Sequence, residues 1–288
     1  MSDAPLIDGD GLLGAHLAER RPLALRHRLP DHPLLQLDAI ADLAEQLGPD
    51  SISAEKAEKE LVAADGAADA LAIRAISEQI RSLAANDSWF TLLNIERVAS
   101  YHRLVDEIVD ELARQAGVEA GTLRRRMGFV FASSPRSVTS AHFDIEQSFC
   151  LQLQGRRRLG FGRFADDEQR EREVRRYWGG SSFGKLETMP EQTDELALGP
   201  GDGAYIPPYT PHWLSNGDTT SLSLTVTFFN RDNEDESLVQ ALNEKVRRTG
   251  LTPRPYGDAP RRDRAKAGAM RGYAALRRRL RPDTSASH

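Results

Sequence analysis

Two periodicities divide the chain. Toward the N-terminus, Leu23, Leu25 and His27 fall on one side of the segment Arg21 to Leu29 (RPLALRHRL), which predicts a strand that joins a sheet and is ended by Pro30. Ile40, Leu43, Ala44 and Leu47 recur at helical spacing from Asp38 to Leu47, and Gly48-Pro49 ends that run. The polar, alanine-rich stretch from Ser51 to Ala70 predicts no definite element, Ile73 to Leu83 fits a strand or a short helix, and Trp89 to Ile95 (WFTLLNI) fits an apolar strand. Tyr101, Leu104, Val105, Ile108, Val109 and Leu112 then form the apolar face of a helix that Asp106, Glu107, Asp110 and Glu111 solvate and Gly117 stops.

From Met127 the pattern shortens to runs rich in aromatic and β-branched residues: MGFVFAS, SVTSAHF, SFCLQLQ, RLGFGRF, DELALGPGDGAYIPP and SLSLTVTFF. Gly, Pro and Asp separate them, as at Pro200-Gly201-Asp202-Gly203, so the segment predicts a β-sandwich or barrel. The stretch from Asp166 to Pro190, charged first and then rich in Gly and Ser, is too long for a hairpin turn, and insertions of that length often cover a site. After Asn230 helical spacing returns. Leu238, Ala241, Leu242 and Val246 predict one amphipathic helix, and Ala265, Met270, Tyr273, Leu276 and Leu280 mark a basic helix from about Arg262 to Leu280.

Charge adds an asymmetry to this outline. The 288 residues carry a net charge of −5, yet from Arg247 to the end there are twelve Lys or Arg against three Asp or Glu. Such a basic tail marks an accessory interaction segment. The single cysteine, Cys150, excludes an intrachain disulfide and a thiolate metal cluster. No basic n-region precedes an apolar run and no window has the length of a membrane span, so a cytoplasmic, non-membrane protein is expected.

The chemistry concentrates in Ser140-Ala-His142-Phe-Asp144 and, 68 residues beyond the aspartate, Pro207-Pro-Tyr-Thr-Pro-His212-Trp. Alternate residues of a strand face the same way, so His142 and Asp144 can both point into a barrel, and a later strand can bring His212 to them. Two imidazoles and one carboxylate on one side of a metal leave the opposite positions open. Either piece alone is common by chance; the strand and turn context around both is what makes them a candidate site. Ser148 and Cys150 lie on the following strand, as pocket wall or as ordinary filling. Tyr205 and Trp213 read as core or rim aromatics, and His16, His27, His32 and His102 as structural or exposed.

The runs HFDIEQSFCLQLQGRRR and GDGAYIPPYTPHW make the stretch from Met127 to Asn230 similar to the JmjC and cupin-8 family, in particular its side-chain hydroxylases; RRPLALRH extends the likeness weakly over about 230 residues. The resemblance implies a mainly β fold with helical additions. That fold is a double-stranded β-helix (cupin or jelly-roll) barrel, with its core at about 127–230 inside a domain of residues 1–230, followed by a helical, basic extension of 231–288. It further implies an oxygenase dependent on Fe(II) and 2-oxoglutarate, with the metal on His142, Asp144 and His212. In the family a threonine three residues before the first histidine and a lysine fifteen after it hold the distal carboxylate of 2-oxoglutarate. Here those positions are Thr139 and Arg157. Arginine is larger than lysine and binds carboxylates through a fork of donors, and Arg156 or Arg158 can take the inward place instead. Where some relatives carry asparagine fifteen residues beyond the second histidine, this chain has Thr227; with Ser148 it completes the cosubstrate residues expected.

The expected reaction is hydroxylation of a C–H bond in a peptide, a protein side chain or an amino-acid-like molecule, with demethylation ranked below it. Two alternatives stay open: a cupin using Fe, Mn, Ni or Zn without 2-oxoglutarate, which would need neither Thr139 nor Arg157, and a ligand-sensing cupin whose basic tail binds nucleic acid or a partner. The apolar positions of the tail fit a helix packed on a second subunit, and C-terminal helices dimerise some relatives, so a homodimer is favoured over a nucleic-acid reader.

Overall fold

The computed structural model describes residues 5–8, 11–56 and 76–280. The chain begins with β1 (Ile7–Asp8), α1 (Leu13–Glu19) and β2 (Leu23–His27), and Leu25 and His27 turn inward on β2 as the alternation predicts. Next come α2 (Leu37–Leu47), β3 (Ile52–Lys56) and α3 (Ile76–Arg81). Of the ambiguous stretch 73–83 the described part is therefore helix, while most of the alanine-rich run lies outside the described residues. β4 (Ser88–Leu93) leads to α4 (Ala99–Ala116), which ends where Gly117 enters the left-handed region at φ +68°. There follow β5 (Arg124–Ser133), β6 (Val138–His142), β7 (Gln147–Gln154), β8 (Arg157–Arg163), α5 (Asp167–Gly179), β9 (Glu191–Leu198), β10 (Asp202–Ile206), β11 (His212–Asn216), β12 (Ser221–Phe229), α6 (Arg231–Arg247) and α7 (Pro260–Leu280). Among the described residues no helix is long and apolar enough to cross a membrane.

Two compact units result: Met1–Ala165 with Lys185–Asn230, and Asp166–Gly184 with Arg231–His288. In the first, an eight-stranded antiparallel sheet (β1-β2-β10-β7-β12-β5-β4-β3) and a four-stranded one (β6-β11-β8-β9) share the strands. The chain steps between sheets at every connection from β5 to β8 and again at every connection from β9 to β12, the double-stranded jelly-roll order. The β7–β8 step needs a glycine: Gly155 has φ +76°, and a Cβ there would lie 2.1 Å from the Thr220 carbonyl oxygen.

The outer face of the large sheet carries the main apolar core. Tyr101, Leu104, Val105, Ile108, Val109 and Leu112 of α4 belong to one buried cluster with Val130, Phe149, Leu151, Tyr205, Leu224, Val226 and Phe228, and Phe149 stacks on both Tyr205 (5.2 Å) and Phe228 (5.7 Å). The inner faces of the two sheets meet differently. Cys150, Leu159, Phe161, Leu198, Ala204, Ile206 and Leu214 form a small apolar cluster drawn from both. The alternation that turns Leu222, Leu224 and Val226 outward turns Ser221, Ser223, Thr225 and Thr227 inward, beside Ser148, Cys150 and Gln152 of β7. This interior is lined by short polar side chains.

The second unit corrects one expectation. The stretch 166–190, too long for a hairpin turn, carries α5, capped by Asp166 accepting from the Gln169 amide at 2.7 Å. On α6 the buried residues are Asn233, Glu236, Ser237, Val239, Gln240 and Asn243, whereas Leu238, Ala241, Leu242 and Val246 are only half-buried. Polar pairing explains the inversion: buried Glu236 forms an ion pair with Arg170 of α5 at 2.9 Å, and Asn243 accepts a hydrogen bond from Lys266 of α7 at 2.7 Å. On α7, likewise, Asp263 and Ala267 are buried while Tyr273 and Leu276 are exposed.

Trp213 of β11 lies over Gly160 of β8, where a Cβ would sit 2.3 Å from the indole. The ring has no flexible end to move aside, so Gly160→Ala should cost about 1–3 kcal/mol by overpacking, read as a lower midpoint in urea unfolding; an unchanged midpoint would refute the close packing.

Candidate metal centre

β6 and β11 pair antiparallel with His142 opposite His212. Two residues farther along β11 stands Leu214, but its partner is Thr139, three residues back on β6. The extra residue is a β-bulge, and it has a chemical effect. Without it, a spacing of three would send Thr139 to the face opposite His142. With it, Thr139 shares the face of His142, His212 and Leu214, because cross-strand partners point the same way.

The two ligand histidines are prepared alike. His142 Nδ1 lies 2.8 Å from the Ser140 carbonyl oxygen and His212 Nδ1 lies 3.0 Å from that of Thr210. A carbonyl only accepts, so Nδ1 carries the proton and donates in each ring, leaving both Nε2 lone pairs for a metal. The ring centroids are 4.1 Å apart. Asp144 Oδ2 sits 3.8 Å from His212 Nε2 and accepts from Ser148 Oγ at 3.1 Å. Ligand atoms of the three residues all fall within 4.8 Å of one another. Burial and the neighbouring His142 push the His212 pKa down to about 4, so that ring stays neutral over the physiological range.

Tyr209 ties the two ligand segments together. Its amide donates to the Asp144 carbonyl oxygen at 2.6 Å, its ring stacks on Phe143 at 5.6 Å, and its φ of +59° turns the chain sharply ahead of His212. Beside Asp144, burial and the aspartate charge raise the Glu146 carboxyl to about 7.

Of the three consecutive arginines, Arg157 alone is buried; Arg156 is exposed, and Arg158 is exposed and paired with Glu195 at 2.8 Å. Arg157 has no acidic partner among the described residues. Its Nε and Nη2 donate to Ser221 Oγ (3.2 and 2.8 Å) and Nη2 also to Ser223 Oγ (3.0 Å). Burial lowers its pKa. Thr227 lies opposite Ser148, and its buried hydroxyl has no hydrogen-bond partner. Cys150 and Tyr205 are buried, Tyr205 donating to Gln147 Oε1 at 2.6 Å. Thus Thr139, His142, Asp144, Ser148, Arg157, His212 and Thr227 all belong to one unit, on or beside the inner faces of its sheets. Tyr209, Ser221 and Ser223 were not foreseen; the alternation in SLSLTVT was the available signal for the serines.

The other histidines among the described residues serve the scaffold. His32 caps a short turn by accepting from the Leu34 amide at 3.2 Å, His16 reaches the carbonyl oxygens of Arg21 and Pro22, and His102 lies 3.4 Å from Asp106. His27 is buried between the Asp202 carbonyl and the Leu29 amide.

A double-stranded jelly roll that carries two histidines and an aspartate within reach of one metal fits several families, and comparison of sequences narrows them. Residues 117–236 match the JmjC domain family. No curated protein matches the sequence. The JmjC-like fold extends beyond the matched residues: the structure of the Escherichia coli ribosomal oxygenase YcfD aligns with a TM-score of 0.50 at 17% identity, over 95% of this chain and 68% of that one. A second structure of E. coli YcfD gives 0.49 at 17%, over 95% and 69%, and YcfD in complex with cobalt and 2-oxoglutarate gives 0.43 at 17%, over 88% and 63%.

His27 provides a test of the electrostatics that is independent of the metal. Burial lowers its pKa from 6.5 to about 4, so the unfolded chain takes up the proton first as pH falls. Its contribution is complete above pH 6.5 and is lost toward pH 4, by about 3 kcal/mol in all. Urea unfolding across that range should show a shallower loss in His27→Gln than in the natural chain; parallel curves would contradict the assignment.

Proposed function

We propose that this chain is an Fe(II)- and 2-oxoglutarate-dependent oxygenase that hydroxylates a C–H bond of a peptide or protein side chain. The observation that carries the reading is Arg157: a buried guanidinium with hydroxyl partners only, in the same interior as the three-ligand cluster. A buried charge without a counterion is costly, and an anion bound beside it relieves that cost.

The donor set fits the groups implied. Two neutral imidazole Nε2 atoms and a carboxylate suit Fe(II) with open positions for a bidentate keto acid, and the unpartnered Thr227 hydroxyl next to Ser148 suits a polar occupant. His142, Asp144 and His212 would hold the metal; Arg157, with the hydroxyl of Thr139, would take the distal carboxylate. When bound, iron and 2-oxoglutarate supply the oxidation, in which dioxygen and the keto acid yield succinate, CO₂ and a hydroxylated carbon. The chain's own part is positional. Ser140 and Thr210 carbonyls fix the imidazole tautomers, Ser148 orients Asp144, and the apolar residues around Leu159, Phe161 and Leu214 keep water from the interior. A macromolecular substrate is favoured over a free amino acid because E. coli YcfD, whose fold this chain shares, is a ribosomal oxygenase. That protein also takes cobalt with 2-oxoglutarate.

His142→Ala or Asp144→Ala should abolish Fe(II) binding while the far-UV circular dichroism stays unchanged. Arg157→Ala should weaken 2-oxoglutarate at least tenfold with little change in metal affinity. The visible charge-transfer band of an anaerobic Fe(II) and 2-oxoglutarate titration reports both. Full band intensity in the Asp144 variant would sink the triad, and absence of the band with iron bound to the natural chain would favour a cupin that does not use 2-oxoglutarate.

We also infer a homodimer through the C-terminal helices. Half-buried Leu238, Leu242 and Val246 on α6, with Tyr273 and Leu276 54% and 55% exposed on α7, offer apolar surface for a second copy. Sedimentation should give a dimer for the natural chain and a monomer for Tyr273→Glu/Leu276→Glu; a monomeric natural chain would refute it.

A further inference from the structure

A guanidinium has five N–H donors, and in Arg157 three are already committed. Nε and one hydrogen of Nη2 go to Ser221 Oγ at 3.2 and 2.8 Å, and the other hydrogen of Nη2 goes to Ser223 Oγ at 3.0 Å. The two that remain are both on Nη1. The edge formed by Nε and Nη2, one of the two with which an arginine grips a carboxylate bidentately, is therefore spent on β12.

This anchorage is itself anchored. Ser221 and Ser223 are 1% and 0% exposed, two residues apart on one face of β12, and β12 is paired on both sides, with β5 and β7. Gln152 of β7 adds a third donor to Ser221 Oγ at 3.0 Å while its amide also donates to the Gln154 carbonyl oxygen at 2.6 Å. An arginine side chain has enough rotatable bonds for its guanidinium to take several positions among the Ser, Thr and Cys side chains of this interior. Three charge-assisted hydrogen bonds to one central strand remove that freedom.

We propose that Ser221 and Ser223 are positioning residues that fix the reach of Arg157 toward His142, Asp144 and His212, and thereby select the length of the dicarboxylate that spans the two. The inference rests on the 2-oxoglutarate reading and deepens it. A metal held at one end and a guanidinium held still at the other define one span, which the 2-oxoglutarate reading makes that of a five-carbon 2-oxo diacid. A longer acid needs the guanidinium to draw back, and the serines prevent it. Removing their hydroxyls leaves the charge in place but frees its position, so binding weakens and length discrimination narrows. A serine that served stability alone would lower the unfolding midpoint and leave the ratio between two diacids untouched.

The test is calorimetric and needs no turnover. Protein loaded with Mn(II) is titrated with 2-oxoglutarate and with its six-carbon homologue 2-oxoadipate, for the natural chain, Ser223→Ala, Ser221→Ala/Ser223→Ala and Ser221→Thr. Mn(II) affinity serves as the control for an intact fold. The expected result is a preference for 2-oxoglutarate in the natural chain. The double variant should lose about tenfold in 2-oxoglutarate affinity and most of that preference, and Ser221→Thr, which keeps the hydroxyl, should retain it. A preference unchanged in the double variant overturns the role of the serines and leaves the oxygenase reading standing. No 2-oxoglutarate binding to the metal-loaded natural chain overturns both. Should the double variant lose Mn(II), Ser223→Ala decides, since it removes one bond of the three.

Discussion

The register between β6 and β11 sets the geometry of the whole centre, because it holds two imidazoles opposite one another with one residue too many on one side. Side chains on a strand alternate, so a slip of one position would send His142 and His212 to opposite faces and abolish any shared ligand point. The bulge between Thr139 and His142 is what lets an odd spacing serve one face. Around it the chain is cross-tied: Asn216, at the end of β11, donates to Ser133 Oγ and Ser137 Oγ at 2.8 Å each, which secures the turn that enters β6. Tyr209 performs the same service at the other end, between Asp144 and His212.

The two faces of the large sheet divide the energetic labour. The outer face, with α4 and the stacked Phe149, Tyr205 and Phe228, supplies stability through apolar burial. The inner face gives up much of that gain by burying Ser148, Gln152, Ser221, Ser223, Thr227 and a charged Arg157. Polar groups in such numbers are tolerated only where they bond to one another or to a ligand. Here the serines and Gln152 bond to one another and to the guanidinium, while the Thr227 hydroxyl has no protein partner. One strand, β12, thus belongs at once to the apolar core and to the site.

Much of this was legible in the residues. The period-two pattern of β2, the helical period of α4 and the glycine that ends it are local signals strong enough to survive tertiary packing. His142, Asp144 and His212 announced themselves by residue type and by the strand context of each. What could not be read were features set by partners distant in sequence. Which of Arg156, Arg157 and Arg158 turns inward depends on where β8 begins in its pairing with β11 and β9. The buried face of α6 was misjudged because its polar residues are satisfied by Arg170 and Lys266, which lie 66 and 23 residues from Glu236 and Asn243. A hydropathy pattern counts the glutamate as solvent-facing, and the ion pair overrides it. The bulge in β6 leaves no mark in composition at all.

The helical unit is assembled from two separate stretches, 166–184 and 231–288. Arg170, Glu171 and Glu173 come from the first, while Glu236 and Arg247, which pair with Arg170 and Glu171, come from the second. The polypeptide therefore crosses between the units three times, and no single cut releases the helices as a module. A chain ended after Asn230 would keep α5 but strip it of the charges that complement it, leaving Arg170 and Glu171 without their counterparts. The C-terminal region is therefore not an independent tail: its charges and those of the insertion complement one another, so a change on one side leaves a charge uncompensated on the other.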